Sequence, residues 1–257
     1  MSAPSRPVRV VEAGNGGRAD VTVAVSLHNY GRFILEALDS VKAQTLGAIE
    51  LIIVDDASTD SGPDRAARWV RRHGQRFARA LLLRQVVNAG LANARNLAVD
   101  EAAAPLFFVL DADNAIYPRC LERLATVLAT ARASAFAYPV IEMFGDSQGL
   151  MGTPVWSRAR LAAGNYIDAM ALMRTARLRE VGGYARMVVT GWEDYDLWCR
   201  FAERGWSGAR VPEILARYRT HASSMLNTTT RHHERSATLI GEMRARHPWL
   251  TITPEHH

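Results

Sequence analysis

Residues 105 to 118, PLFFVLDADNAIYP, set five apolar side chains, Leu106 to Leu110, ahead of two aspartates one residue apart, Asp111 and Asp113. A run this short, rich in Phe and Val and opened by a proline, reads as a buried strand rather than a helix. Residues i and i+2 of a strand leave the same face about 7 Å apart along the chain, so these two carboxylates would repel. A cap for the helix from Arg119 onward explains one of them but not the pair. The pair therefore points to a hard divalent cation, Mn²⁺ or Mg²⁺, completed by water and substrate phosphates. A second acidic pair, Glu193 and Asp194, follows Gly191 and opens a helical pattern carrying Leu197, Trp198 and Phe201. As plain first-turn acids they would favour the helix dipole by about 0.3 to 1 kcal/mol.

The elements that must position these groups alternate from residue 21 on. VTVAVSL (21–27) reads as a strand, 31–44 as a helix with Ile34, Leu38 and Val41 on one face, and ELIIVDD (50–56) as a strand. An arginine-rich helix within 64–80, a strand ALLLRQ (80–85), a helix LANARNLAVDEA (91–102) and the strand ending in Asp111 follow. Such alternation predicts an α/β fold, a Rossmann-like, mostly parallel sheet flanked by helices, with ligands beyond the carboxyl ends of the strands. Polar clusters fall at three successive strand ends: HNYG (28–31), DDASTD (55–60) and DADN (111–114). Each alone is ordinary turn chemistry, with Ser58 or Asp60 as a helix cap. Together they outline a pocket for an anionic, hydrogen-bonding ligand such as a nucleoside diphosphate.

At 257 residues and 48% hydrophobic content, the chain has enough apolar material for one large α/β domain or two small ones. Its two cysteines, Cys120 and Cys199, lack metal-ligand spacing and read as structural thiols of a reducing compartment. With no run of about 20 apolar residues and no apolar stretch within Met1 to Asp20, the expected location is cytoplasmic. The formal charge is +5, yet Lys42 is the only lysine. Arginine suits phosphate, and a basic surface is compatible with peripheral membrane contact. The densest cluster, Arg65, Arg68, Arg71, Arg72, Arg76 and Arg79, reads as a solvated helix face. Nucleic acid is not the expected partner, because phosphate backbones reward uninterrupted positive surface. Residues 1–20 read as a flexible lead-in, and the GNGGRA within them precedes the first strand, so it lacks the geometry of a dinucleotide-binding turn.

The order and spacing of VSLHNYG, LIIVDDASTD, NAGLANARN, FFVLDADN, VGGY, GWEDYDLWCRFAERG and RYRTHASS, from about residue 21 to 224, resemble the family-2 glycosyltransferases of the GT-A fold. That resemblance implies a transferase domain at 21–228, with a nucleotide-binding half (21–114), a C-terminal acceptor-binding half (115–228) and a helical tail (229–257). It implies that Ser26, His28 and Tyr30 border base and ribose, Asp56 holds the base and Arg95 faces the nucleotide. Asp111 and Asp113 would form the metal site with His221 near the metal or diphosphate, and Asp194 would be the general base with Glu193 beside it. The implied reaction moves one hexosyl-type sugar, with inversion, from a nucleoside-diphosphate sugar, UDP being the favoured nucleotide. The acceptor would be a glycan, lipid-linked or small-molecule hydroxyl, in the setting of cell-envelope polysaccharide. Processive synthases of the family carry Q-x-x-R-W and membrane helices, neither of which occurs here, so a single transfer is expected. Trp192, Tyr195 and Trp198 could flank the acceptor, Trp198 being equally suited to the core. A haloacid-dehalogenase-like phosphatase fits poorly, because no Thr follows the D-x-D pair and Lys42 lies upstream. A non-catalytic nucleotide- or glycan-binding module of the same fold is the alternative.

Overall fold

The computed structural model describes residues 7–221 and 233–253, the first three of the latter by backbone alone. An edge strand β1 (Val8–Ala13) is followed by β2 (Val21–Leu27), α1 (Ile34–Lys42), β3 (Ile49–Asp55), α2 (Gly62–His73), β4 (Arg79–Arg84), α3 (Leu91–Glu101) and β5 (Leu106–Asp111). The second half contains β6 (Ala115–Ile116), α4 (Cys120–Thr130), β7 (Ser134–Gly145), β8 (Gly149–Met151), α5 (Arg158–Ala163), β9 (Leu172–Arg174) and α6 (Thr175–Glu180). It closes with α7 (Glu193–Glu203), β10 (Ser207–Thr220) and α8 (His233–Arg246).

All strands join one sheet in the order β1-β4-β3-β2-β5-β9-β7-β10-β6, with β8 paired to β7. The pairs β4–β3, β3–β2 and β2–β5 are parallel, as is β7–β10. β9 runs antiparallel to both β5 and β7, so the sheet is mixed beyond β5. The chain builds β2, β3 and β4 outward in one direction and then returns to lay β5 on the other side of β2. Between β2 and β5 lies the topological switch point, where open α/β sheets bind ligands. Ser26 and Asp111 pair across that junction.

Strand periodicity sorts the core into two layers and aims the acidic strand end. Val21, Val23, Val25 and Leu27 pack on one side of the sheet with α1, α2 and α4, while Ala24 joins the opposite layer. In β5, Phe108 and Leu110 belong to the first layer and Phe107 and Val109 to the second. Asp111 continues the phase of Phe107 and Val109, which directs it toward α3 and α7.

Several expectations are corrected. The lead-in is not wholly unstructured, because β1 pairs antiparallel with β4 and extends the sheet by one strand. The tail expected at 229–257 is not set apart, since Leu239, Met243 and Ile252 are buried in the layer that holds α7. Of the six arginines, Arg68, Arg71 and Arg72 are exposed, but Arg76 donates to the carbonyls of Gln44, Leu46 and Gly47, and Arg79 pairs with buried Glu50. Among the described residues no helix is long and apolar enough to cross a membrane.

Candidate active site

A cleft of about 1010 Å³ opens beyond the carboxyl ends of β2, β3 and β5. Its walls include Ser26, His28, Tyr30, Asp56, Arg95 and the Asp111–Asp113 pair from the first half, and Asp168, Glu193 and Asp194 from the second. Among the described residues three that are not glycine hold left-handed backbone, Asn29 (φ 58°) and Ala57 (φ 54°) on the loops after β2 and β3, and Trp192 (φ 61°) at the start of α7. Such conformations cost about 1 to 3 kcal/mol each and persist where neighbours over-determine them. At Asn29 those neighbours are Ser58, whose hydroxyl accepts from the Asn29 N–H at 3.0 Å, and Thr59, whose N–H donates to Asn29 Oδ1 at 2.8 Å.

Asp56 and His28 form one polar corner. The Asp56 carboxylate accepts from Gln85 Nε2 at 2.7 Å and from the N–H groups of Ala89 and Gly90 at 2.8 Å each, which folds the 85–90 loop over the end of β3. His28 Nδ1 lies 2.7 Å from the Asp56 carbonyl, so that nitrogen carries the proton. Nε2 is then an acceptor for Asn88 Nδ2 at 3.1 Å and Asn29 Nδ2 at 3.2 Å. Asp60, a candidate cap, instead bridges the Gly31 and Gly62 N–H groups at 2.7 and 2.8 Å.

Arg95 occupies the centre. Nη2 donates to Asp111 Oδ1 at 2.9 Å and Nη1 to Glu193 Oε1 at 2.6 Å, with the guanidinium 5.3 Å from the Tyr184 ring centre. Burial alone would weaken its charge, but Asp111 and Glu193 reverse that and hold it above its ordinary range. Two of the expected residues meet here. Arg95 lines the cleft, as expected of a residue facing it, and each terminal nitrogen also donates to a carboxylate. Glu193, expected beside the base, is the ion-pair partner of Arg95. The neighbouring turn fixes Tyr184: Asn96 bonds the Tyr184 N–H and carbonyl at 2.7 and 2.8 Å, and a Cβ on Gly183 would stand 2.4 Å from Asn96 Oδ1. Only glycine lets α3 approach that closely, which explains the VGGY spelling.

The strand ends at Asp111, and Asp113 sits in the following turn, closed by Asn114 N–H to the Asp111 carbonyl at 3.0 Å. The two carboxylates therefore converge through a turn and not by simple strand alternation. Neither caps α4, whose first position has no side-chain bond. Burial, together with the Asp111 charge, pushes the Asp113 carboxyl up to about 6. That unrelieved repulsion and an all-oxygen pair suit a hard cation. His221 Nε2 stands 3.1 Å from Asp113 Oδ2, bringing the third expected residue to the same corner. Among the described residues no group of three His, Cys, Asp or Glu side chains forms a ready cage, so remaining ligands would come from water and substrate, as is usual for Mg²⁺.

Sequence reading missed Arg219, which ties this turn to the rest of the molecule. Its N–H donates to Asn114 Oδ1 at 2.9 Å and its Nε to the Asp113 carbonyl at 3.0 Å, while the guanidinium pairs with Glu36 and lies between the Phe33 and Phe144 rings. Its place in RYRTH, two residues before His221, was the one available signal.

Across the cleft, Gly191 and left-handed Trp192 reverse the chain so that the first turn of α7 faces inward. Asp194 Oδ1 accepts from the Tyr195 N–H at 2.7 Å and Oδ2 from Asn165 Nδ2 at 3.3 Å. Burial, then the charges of Glu193 and Asp168, push its carboxyl up to about 8. A carboxylate so perturbed in a cleft has the basicity wanted of a proton acceptor. Trp192 lines the cleft, whereas Tyr195 and Trp198 are fully buried and belong to the core. Asp168 and Asn165 were also unforeseen, and nothing in their sequence context distinguishes them.

The Glycosyl transferase family 2 model matches residues 22–177. Over 204 residues the chain is 28% identical to the Putative glycosyltransferase EpsE of Bacillus subtilis, covering 77% of this chain and 72% of that protein. It is 32% identical over 107 residues to the Uncharacterized glycosyltransferase YibD of Escherichia coli, covering 42% of this chain and only 30% of that one. Among solved structures, TarS 1-349 of S. aureus in complex with UDP-GlcNAc superposes with a TM-score of 0.72 at 15% identity, over 92% of this chain and 69% of that one. The mannosyltransferase PcManGT from Pyrobaculum calidifontis, in complex with GDP-Man and Mn²⁺, gives 0.67 at 21% identity, over 90% and 64%. At such identities these two likenesses establish the fold alone.

Proposed function

The chain belongs to glycosyl transferase family 2, and from that premise we propose that it moves one sugar from a nucleoside-diphosphate sugar to an acceptor hydroxyl in a single inverting displacement. The observation that carries the reading is the pairing, within one cleft, of an aspartate pair at the switch point with a basic carboxylate on α7. Asp111 and Asp113 would hold Mn²⁺ or Mg²⁺, which when bound would neutralise charge developing on the departing diphosphate. His28, Asn88 and Asp56 form a rigid polar corner suited to a nucleobase, with Ser26 and Tyr30 nearer the ribose. Asp194 would take the proton of the attacking hydroxyl from the face opposite the diphosphate. Arg95 ties the two ends together by bonding Asp111 and Glu193, so that donor and base sites keep a fixed separation.

A UDP-sugar remains the favoured donor, with GDP-sugars close behind, because relatives of this fold hold both. The acceptor is a glycan, lipid-linked or small-molecule hydroxyl. The test is a thermal-shift screen of UDP, GDP and their sugars with Mn²⁺, followed by product detection with the best donor. A ligand at 100 times its dissociation constant should add about 2.7 kcal/mol of stability. Absence of any Mn²⁺-dependent stabilisation by nucleoside diphosphates would overturn the reading. Stabilisation without sugar transfer or donor hydrolysis would favour the non-catalytic binding module.

A further inference from the structure

Asp168 lies in the segment between α5 and β9 and lines the cleft. Three bonds pin that segment: Asn165 Oδ1 accepts from the Ile167 N–H at 3.2 Å, the Trp198 indole donates to the Ile167 carbonyl at 3.0 Å, and Asp168 Oδ1 accepts from the Met170 N–H at 2.8 Å. Among the described residues nothing donates to the second oxygen of Asp168, and the residue lines the cleft. The carboxylate is near enough to feel Asp111 and Asp113 on one side and to act on Asp194 on the other. In a displacement at an anomeric carbon, whatever lies between the diphosphate site and the base is the transferred sugar. A rigid acceptor group at that place reads one part of that ring.

We propose that Asp168 is a specificity-determining residue for the donor sugar: its free oxygen accepts a hydrogen bond from a ring hydroxyl of a neutral sugar and disfavours a uronic acid. The inference rests on the transferase reading and deepens it. A neutral sugar is favoured because Arg95 is the only arginine or lysine among the described residues lining the cleft, and its charge is already paired with Asp111 and Glu193. A sugar carboxylate would meet the charges of Asp168 and Glu193, with Arg95 already paired to Glu193 and Asp111.

The experiment is calorimetric titration, in Mn²⁺, of UDP, GDP, UDP-glucose, UDP-N-acetylglucosamine, GDP-mannose and UDP-glucuronic acid into the unmodified protein and Asp168→Asn. The asparagine keeps the shape and the bond to Met170 but loses the negative charge. The unmodified protein should bind at least one neutral nucleotide sugar about tenfold or more tighter than UDP-glucuronic acid, in line with a hydrogen bond to a charged group. In Asp168→Asn the sugar's gain over the bare nucleotide should shrink and the penalty on the uronic acid should fall, with UDP and GDP binding unchanged. Equal binding of UDP-glucuronic acid and the neutral sugars by the unmodified protein would overturn the inference without recourse to the variant. So would identical preferences in both proteins. If the unmodified protein bound neither UDP nor GDP, the transferase reading itself would fall first.

Discussion

Replacing Asp194 by asparagine separates the proposed proton transfer from the plain role of a first-turn acid in α7. The substitution preserves size and leaves an oxygen to accept from the Tyr195 N–H, now 2.7 Å from Asp194 Oδ1. What it removes is a carboxylate whose basicity burial, Glu193 and Asp168 have raised to about 8. A general base of this kind contributes about 10²- to 10⁴-fold, or about 3 to 5 kcal/mol of barrier. A first-turn acid acting on the helix dipole alone contributes only about 0.3 to 1 kcal/mol, under tenfold in rate. The assay is transfer from the donor identified by titration, followed from pH 6 to pH 9. For the unmodified protein the rate should climb about tenfold per pH unit below the carboxyl's value and level off above it. The asparagine variant should lose that rise together with at least two decades of rate, while donor and Mn²⁺ affinity persist. Stability supplies a cross-check with a fixed sign. The folded carboxyl titrates above its unfolded value of about 3.9, so its neutral form favours folding at low pH and that contribution is lost as pH rises toward about 8. The variant has no such loss and should melt no lower than the unmodified protein at about pH 9. A rate within tenfold of normal, or an unchanged pH limb in the variant, would refute the assignment of Asp194 as base.

Asp113→Ala should abolish the Mn²⁺-dependent part of nucleotide binding while leaving the fold intact, and undiminished metal-dependent titration would remove the aspartate pair from the metal site. Arg95→Met should lower stability by about 3 to 5 kcal/mol, because it strands Asp111 and buried Glu193 without their shared cation; denaturant titration reads this directly, and a loss below 1 kcal/mol would contradict it. His247 supplies a second pH signature. Burial opposes its charge, but hydrogen bonds with Asp196 and Glu203 outweigh burial and raise it above its ordinary range. Its protonated form therefore adds stability that is complete below the unfolded value of about 6.5 and disappears as pH rises through the folded one, so His247→Gln should flatten the fall in melting temperature over that window.

The sequence by itself determined the first half of the sheet, from β2 to β5. Short continuous apolar runs set β2, β3 and β5, and helical patterns set α1 and α3, to within a few residues, because a strand covered on both faces must be apolar almost throughout and so is visible locally. It also determined that acidic and polar side chains would collect at the carboxyl ends of those strands, since a buried apolar run must end where the chain reaches water. It could not determine how those charges are shared. Arg95 and Glu193 are 98 residues apart in sequence and bond at 2.6 Å, and Arg219 reaches back to Asn114 and Asp113 across more than a hundred residues. β1, too, was illegible: six residues with exposed valines become a strand only because β4 offers an open edge. The tail gave no sign that Leu239 and Met243 would sit under α7, or that Glu242 would accept from the Val188 N–H at 2.8 Å and steady the loop leading to Asp194. Hydrophobic periodicity is a local signal, whereas the pairing of buried charges depends on distances fixed only when the whole sheet has closed around them. For that reason Asp111, Asp113 and Asp194 could be named from the chain, but Asp168 could not, and which carboxylate pairs with Arg95 and which is pushed up by its neighbours was decided by tertiary structure.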